Sequence, residues 1–273
     1  MSIDQRFQVI DAFVTDRAFS GNPAAVCILE NVISDGLRQK IASQFNLSET
    51  SFVEIISADE SQIYADLRWF TPVVEVDLCG HATLAAAHSI FERYPDAASI
   101  HFQTRSGVLT VEAEGEFLKM SFPQLQFEAV DSEKFNLLGL PCRVIDTFEG
   151  MDVALVLESA EYVRYWNPNL VAVSSVTKRG LIVTAADDSE SPHDFISRFF
   201  APRHGIDEDP VTGSAHCWLA PYWSRILGKH RLVALQASPR GGVVDCEVLN
   251  KKICLRGRTR VFSEGTISQK VLA

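Results

Sequence analysis

The chain has 273 residues, 47% of them apolar, and a formal net charge of -10 from 35 acidic and 25 basic side chains. That is enough apolar material for a large core in one domain or two, and the acidic balance argues against a nucleic-acid partner, whose phosphates are met mainly by Lys and Arg. No stretch reaches the roughly 18 continuous apolar residues of a spanning helix, and MSIDQRFQVIDAFV has no basic segment ahead of an apolar one, so the expectation is a cytoplasmic protein without a membrane partner.

In chain order, FQVIDAFV alternates and is rich in β-branched and aromatic residues, as a half-buried strand should be, and Ser20-Gly21-Asn22-Pro23 then turns the chain into the apolar run AAVCIL. Ser34 or Asp35 can cap a helix whose Leu37, Ile41 and Phe45 share one face. NLSET leads into the strand SFVEII, and the RWFTP strand (Arg68 to Pro72) leads into GHATLAAAHSIF, a helix apolar nearly all round and therefore enclosed on most sides. After RFFAP (Arg198 to Pro202) comes a second such helix, GSAHCWLAPYWSRIL, in which Pro221 predicts a kink or a short first segment. HFQTRSGVLTVEAEGEFLKMSF and GGVVDCEVLNKKICLRGRTRVF are strand and hairpin material.

The halves echo each other. VIDAF at Val9 matches VIDTF at Val144, RWFTP matches RFFAP, and Gly80-His81-Ala82 matches Gly213-Ser214-Ala215, at offsets of 135, 130 and 133 residues. Three ordered matches at nearly one offset indicate an internal duplication into two related domains. The expected class is therefore α+β, with two pseudo-symmetric lobes, each a sheet rolled around one buried helix. The predicted lobes are residues 1–124 and 125–263, joined near Pro123, and a tail over about 264–273 can return to the first. The cleft between them is the favoured place for a small-ligand site.

Six scattered cysteines without a C-x-x-C pair read as buried or reactive thiols, and seven histidines without ligand spacing give no support for a metal. Chemistry gathers instead at the two helix starts, whose free N–H groups attract anions such as a carboxylate. Gly80 and Gly213 let a ligand approach the backbone closely, though either glycine alone is more simply a helix-starting turn. Asp209 is by itself an ordinary acid at a helix start; paired with His81 across a duplicated architecture, it would orient the imidazole and raise its basicity. Ser214 can offer a hydroxyl to substrate or cap its own helix, Asn22 is a common turn former, and Glu49 in a polar turn is most often solvated. Cys79 can act as a nucleophile or base, or be a small buried residue.

SGNPAAV at 20 to 26, LSET at 47 to 50, RWFTP with CGHATLAAAH between 68 and 88, and RFFAP with EDPVTGSAH between 198 and 216 together resemble the PhzF-like phenazine-biosynthesis proteins, which share the diaminopimelate-epimerase fold. The resemblance covers both halves in order. It implies an isomerase that moves a proton between carbons of a small carboxylate substrate, without metal or organic cofactor, and a homodimer. Glu49 takes the position of the general acid/base, with His81, Asp209 and Ser214 as supporting polar groups; Asn22, Gly80, Ala82 and Gly213 complete the implied substrate site. Burial would raise the Glu49 carboxyl towards neutrality so that it can serve first as base and then as acid.

Related epimerases use two thiols. Here Cys79 stands where the first would be, but Thr212 occupies the second position, and Cys217 falls about one turn inside the helix. A Cys79-dependent epimerase or racemase is the alternative, and a non-catalytic binding protein on the same fold is a third reading.

Overall fold

The computed structural model describes residues 5–59, 61–250, 252–268 and 270. The chain forms two compact units, Met1–Ser121 with Arg256–Ala273, and Phe122–Leu255. Both are α+β, and they are taken in turn.

The first unit contains β1 (Gln5–Ala12), β2 (Asn22–Ile28), α1 (Asp35–Phe45), β3 (Glu49–Ala58), β4 (Gln62–Phe70), β5 (Glu75–Val76), α2 (Gly80–Arg93), β6 (Ser99–Thr104), β7 (Gly107–Glu114) and β8 (Phe117–Pro123). The second contains β9 (Glu128–Ala129), β10 (Val144–Glu149), β11 (Val153–Leu157), α3 (Ala160–Tyr165), α4 (Leu170–Val176), β12 (Leu181–Ala186), β13 (Phe195–Ala201), β14 (Ile206–Asp209), α5 (Gly213–Leu227), β15 (Arg231–Gln236), β16 (Gly242–Leu249) and β17 (Lys252–Gly257). The last strand, β18 (Thr259–Ile267), returns to the first unit and pairs antiparallel with β1.

Strand pairing makes the duplication concrete. In the first unit β1–β2 is antiparallel, β2–β3 parallel, β3–β4 antiparallel, β4–β6 parallel and β6–β7 antiparallel, with β5 beside β4. In the second, β10–β11, β11–β12, β12–β13, β13–β15 and β15–β16 repeat those senses in order, with β14 beside β13. A parallel pair needs a crossover, and the helices supply it: α1 spans β2 to β3, while α3 and α4 span β11 to β12.

Each repeated helix is enclosed as its composition predicts. In α2 His81, Ala82, Thr83, Leu84, Ala85, Ala86 and Ala87 are all buried, and the helix packs on β1, β2 and β3. The run of alanines lets those strands come close, and the large side chains of the core, such as Trp69, Phe52 and Phe102, come from the sheet. Helix α1 lies on one side instead: Ser34 caps it through Leu37 N–H, Ile41 is buried, Leu37 and Phe45 are half-buried against the same cluster, and Asn46 ends it in the left-handed conformation.

Pro221 does not end α5 early: the helix runs without a break from Gly213 to Leu227. Proline removes the hydrogen bond to the carbonyl four residues back, here Cys217, and that oxygen instead accepts the backbone N–H of Leu125 at 3.5 Å. A donor from the loop between β8 and β9 thus replaces the missing helical one.

The repeated RWFTP and RFFAP motifs have the same architectural use. Arg68 forks onto Glu75 with Nε–Oε1 and Nη2–Oε2 both at 2.7 Å, and Arg198 forks onto Glu208 at 2.7 and 2.8 Å. Each guanidinium also lies over the phenylalanine two residues on, Phe70 or Phe200. Both clamps tie the β4–β5 and β13–β14 connections that deliver the chain to α2 and α5.

Gly21, in the turn before β2, has φ of +82°, and a Cβ there would sit 2.5 Å from the Ala12 carbonyl oxygen. Gly21→Ala is expected to destabilise the protein by at least about 2 kcal/mol, read from the urea midpoint; a midpoint unchanged from wild type would show that the turn relaxes freely.

Candidate active site

In the first unit the predicted residues converge at the start of α2. Glu49 opens β3, Asn22 opens β2, and the parallel register Ala24↔Glu49 sets their strands side by side. Ser51 of β3 donates to the Ala82 carbonyl at 2.9 Å, which ties this strand to the first turn of the helix. The Gly21 turn is held by the Ser20 hydroxyl, which accepts from Thr15 N–H at 2.9 Å and donates to the Arg17 carbonyl at 2.8 Å.

His81 is the hub. Its Nδ1 lies 3.2 Å from Asn22 Nδ2 and 3.6 Å from Cys79 Sγ, and its Nε2 lies 3.2 Å from Glu49 Oε2. An amide nitrogen can only donate, so Nδ1 accepts and the neutral ring carries its proton on Nε2, the edge that faces Glu49. Ring and carboxylate touch without being aligned as a hydrogen bond, so a small rotation of either side chain makes or breaks it. Burial pushes the imidazole from 6.5 down to about 3, which keeps it neutral at physiological pH. The Glu49 side chain is 13% exposed rather than solvated, contrary to what a polar turn ordinarily gives.

Glu49, Cys79 and His81 bring three donor atoms within 4.8 Å of one another. The linear pattern could not reveal this set, because one member comes from β3 and two from the entrance to α2. A carboxylate, a thiol and an imidazole are ligands that a divalent transition metal accepts, although three fall short of a closed structural site.

In the second unit the loop before α5 is locked by Gln236, a fully buried side chain that sequence reasoning missed. Its Nε2 donates to the Asp209 carbonyl at 2.7 Å and its Oε1 accepts Thr212 N–H at 2.8 Å. The Asp209 carboxylate accepts the Thr212 hydroxyl. Thr212, in the N-cap position, therefore spends its side chain on Asp209 rather than on the helix. Ser214 does not cap α5 either: it lies inside the first turn, and its oxygen accepts Arg179 Nη2–H at 3.0 Å. Gly80 and Ala82, and Gly213, hold the first-turn positions of α2 and α5. Cys217 is a packing thiol, raised to about 12 by burial, with Sγ 3.5 Å from the Gly213 carbonyl oxygen.

The model of the phenazine biosynthesis-like proteins, PhzC-PhzF, matches residues 10–265. The chain belongs to that family. Among its PhzC-PhzF relatives, an uncharacterized isomerase of Pseudomonas aeruginosa is 46% identical over 265 residues, covering 96% of this chain and 97% of the relative. The crystal structure of a phenazine biosynthesis PhzF-family protein from Enterococcus faecalis superposes with a TM-score of 0.86 at 37% identity, over 97% of this chain and 100% of the other. A hydroxyproline epimerase from Agrobacterium vitis matches with a TM-score of 0.57 at 9% identity, over 96% and 92% of the chains, a likeness of fold alone. No helix among the described residues is long and apolar enough to cross a membrane.

The two buried imidazoles make stability pH-dependent. Burial lowers His216 to about 4 as well; its Nδ1 faces the Thr212 carbonyl at 2.8 Å, and as the neutral donor it leaves Nε2 unprotonated. Below pH 6.5 the unfolded chain takes up protons that the folded one refuses, so stability falls as pH drops from 6.5 towards 4, by at most about 1.4 kcal/mol per pH unit for each histidine. His216→Asn keeps a donor near Nδ1 and removes one titration. The wild-type-minus-variant difference in urea stability should shrink between pH 7 and 5, and a difference constant over that range would rule the explanation out.

Proposed function

We propose that this protein is an isomerase that moves a proton between carbons of a small carboxylic acid, with Glu49 as general acid/base. The observation that carries the reading is the largely enclosed Glu49 carboxylate in contact with the neutral, buried His81 ring. A carboxylate accepts the proton from one carbon, the electron pair passes into the substrate's conjugated system, and the resulting carboxylic acid, whose O–H exchanges with solvent, returns a proton to a second carbon. Charge is conserved and Glu49 is regenerated. A neutral imidazole suits this cycle, since its Nε2–H can hold the carboxylate in place without the positive charge that would make Glu49 a weaker base. The low-dielectric surroundings of α2 strengthen each such contact.

The curated relative's name, isomerase, supports the reaction class. Asp209 and Ser214 are assigned the supporting roles that the family motif implies, with Asn22, Gly80, Ala82 and Gly213 as substrate contacts. The chemistry described needs no metal or organic cofactor. A second reading rests on Cys79, whose sulfur lies 3.6 Å from His81 Nδ1. Forming a thiolate–imidazolium pair there would require protonating a ring that burial holds neutral, and Cys217, raised to about 12, is no second thiol base.

Solvent deuterium uptake at carbon, followed by NMR across a panel of small unsaturated and amino acids, separates these readings. Glu49→Gln should slow uptake by about a thousandfold and Cys79→Ala by less than about tenfold. Equal loss in Cys79→Ala would transfer the role to the thiol, and uptake from no panel member would favour a binding protein. Dialysis against EDTA should leave the rate unchanged; a rate that disappears and returns with added Zn2+ would instead assign Glu49, Cys79 and His81 to a metal.

A further inference from the structure

Outside the Glu49–His81 cluster, one ionisable group holds the matching place in the duplicated half. In the first unit the side chain opening β3, Glu49, meets the second residue of the buried helix, His81. In the second unit the chain entering β12, the counterpart of β3, carries Arg179 two residues ahead of the strand, and Arg179 meets the second residue of α5, Ser214. The duplicated architecture thus aims a carboxylate at one helix and a guanidinium at the other.

The guanidinium is built into place. Its Nε donates to Asp152 Oδ1 at 2.7 Å and its Nη2 to Oδ2, and the Asp152 side chain is fully buried. Asp152 immediately precedes β11, and the parallel register Val153↔Leu181 brings the entrances to β11 and β12 together, reinforced by Val153 N–H donating to the Gly180 carbonyl at 3.0 Å. The group also lies 5.6 Å over the Phe199 ring, so it is fixed on its edge and on one face. Arg179 nevertheless remains 33% exposed, and among the described residues its Nη1 makes no intramolecular hydrogen bond.

The bond to Ser214 has a fixed direction. Arginine has no acceptor, so the serine oxygen must accept, and its own O–H is left to donate elsewhere, polarised by the adjacent cation. An Nη1 edge without an intramolecular partner, on a side chain that remains partly exposed, beside a half-buried hydroxyl with its proton left to donate, is complementary to a carboxylate. In a chain of net charge -10, a local cation of this kind is what an anionic ligand requires.

We propose that Arg179, positioned by Asp152 and acting beside Ser214, is a carboxylate-recognition group of the second unit and so binds acids in preference to their neutral analogues. The proposal rests on the reading of an acid substrate made above, and it names the group that recognises the acid rather than the one that moves the proton.

The test is binding of anthranilate against its uncharged counterpart anthranilamide, measured by calorimetry or ligand-observed NMR on the full chain. Wild type should prefer the acid by about tenfold or more, as a charge-assisted hydrogen bond allows, and Arg179→Gln should lose that preference while binding the amide as before. Should the buried Asp152 left without a partner unfold that variant, Asp152→Asn with Arg179→Gln restores a neutral pair and carries the same expectation. An acid preference that survives in the folded variant, or is missing from wild type, overturns the proposal. Glu49→Gln separates this claim from the isomerase reading. If it abolishes deuterium uptake while Arg179 variants bind the acid normally, only the recognition role fails; Arg179-dependent acid binding without uptake in any protein would leave the recognition role and remove the isomerase.

Discussion

An imidazole inside an almost wholly apolar helix surround is costly to charge, and this constraint organises the first unit. His81 can be accommodated there as a neutral ring with a donor at Nδ1, which is why Asn22 is drawn out of its turn and buried. Asn22 reaches the ring because Gly21 takes the left-handed conformation beneath the Ala12 carbonyl. With Nδ1 occupied, the remaining ring edge is turned towards β3 and Glu49. The burial of Asn22 and the environment of the candidate acid/base are thus both tied to satisfying one buried ring.

The second unit obeys the same topology under different local chemistry. The fork-shaped Arg–Glu clamps survive in both copies because a guanidinium and a carboxylate give two parallel hydrogen bonds wherever a strand connection must be held rigid. What changed lies in the first turn of the helix. Cys79 and His81 are matched there by Thr212 and Ser214, hydroxyls that take part in a network built by Gln236, Asp209 and Arg179. A duplicated fold can keep its packing and alter its polar groups because enclosed alanines and sheet aromatics define the shape, whereas the helix starts only require that each donor and acceptor be satisfied.

Much of this was legible in the chain. The alternating strands, the Ser34 cap, the apolar helices and the repeated motifs all depend on neighbours in sequence or on a repeat that can be read by comparison. That α5 continues past Pro221 rather than ending in a short first segment is not legible locally, because the donor to the Cys217 carbonyl, Leu125, lies 96 residues from Pro221 in sequence (221 − 125). Gln236, Asp152 and Arg179 stand in no motif, and their roles exist only where strands far apart in the chain become neighbours.

The sequence by itself determined the α+β class, the doubling, and the residue types gathered at the two helix starts, since periodicity and repetition are properties of the linear chain. Only the tertiary structure decided that Glu49 sits against His81, that His81 stays neutral, and that a guanidinium rather than a carboxylate enters β12 opposite Ser214. Those outcomes turn on distance and desolvation, which parallel strand register and burial set once the chain has closed on itself.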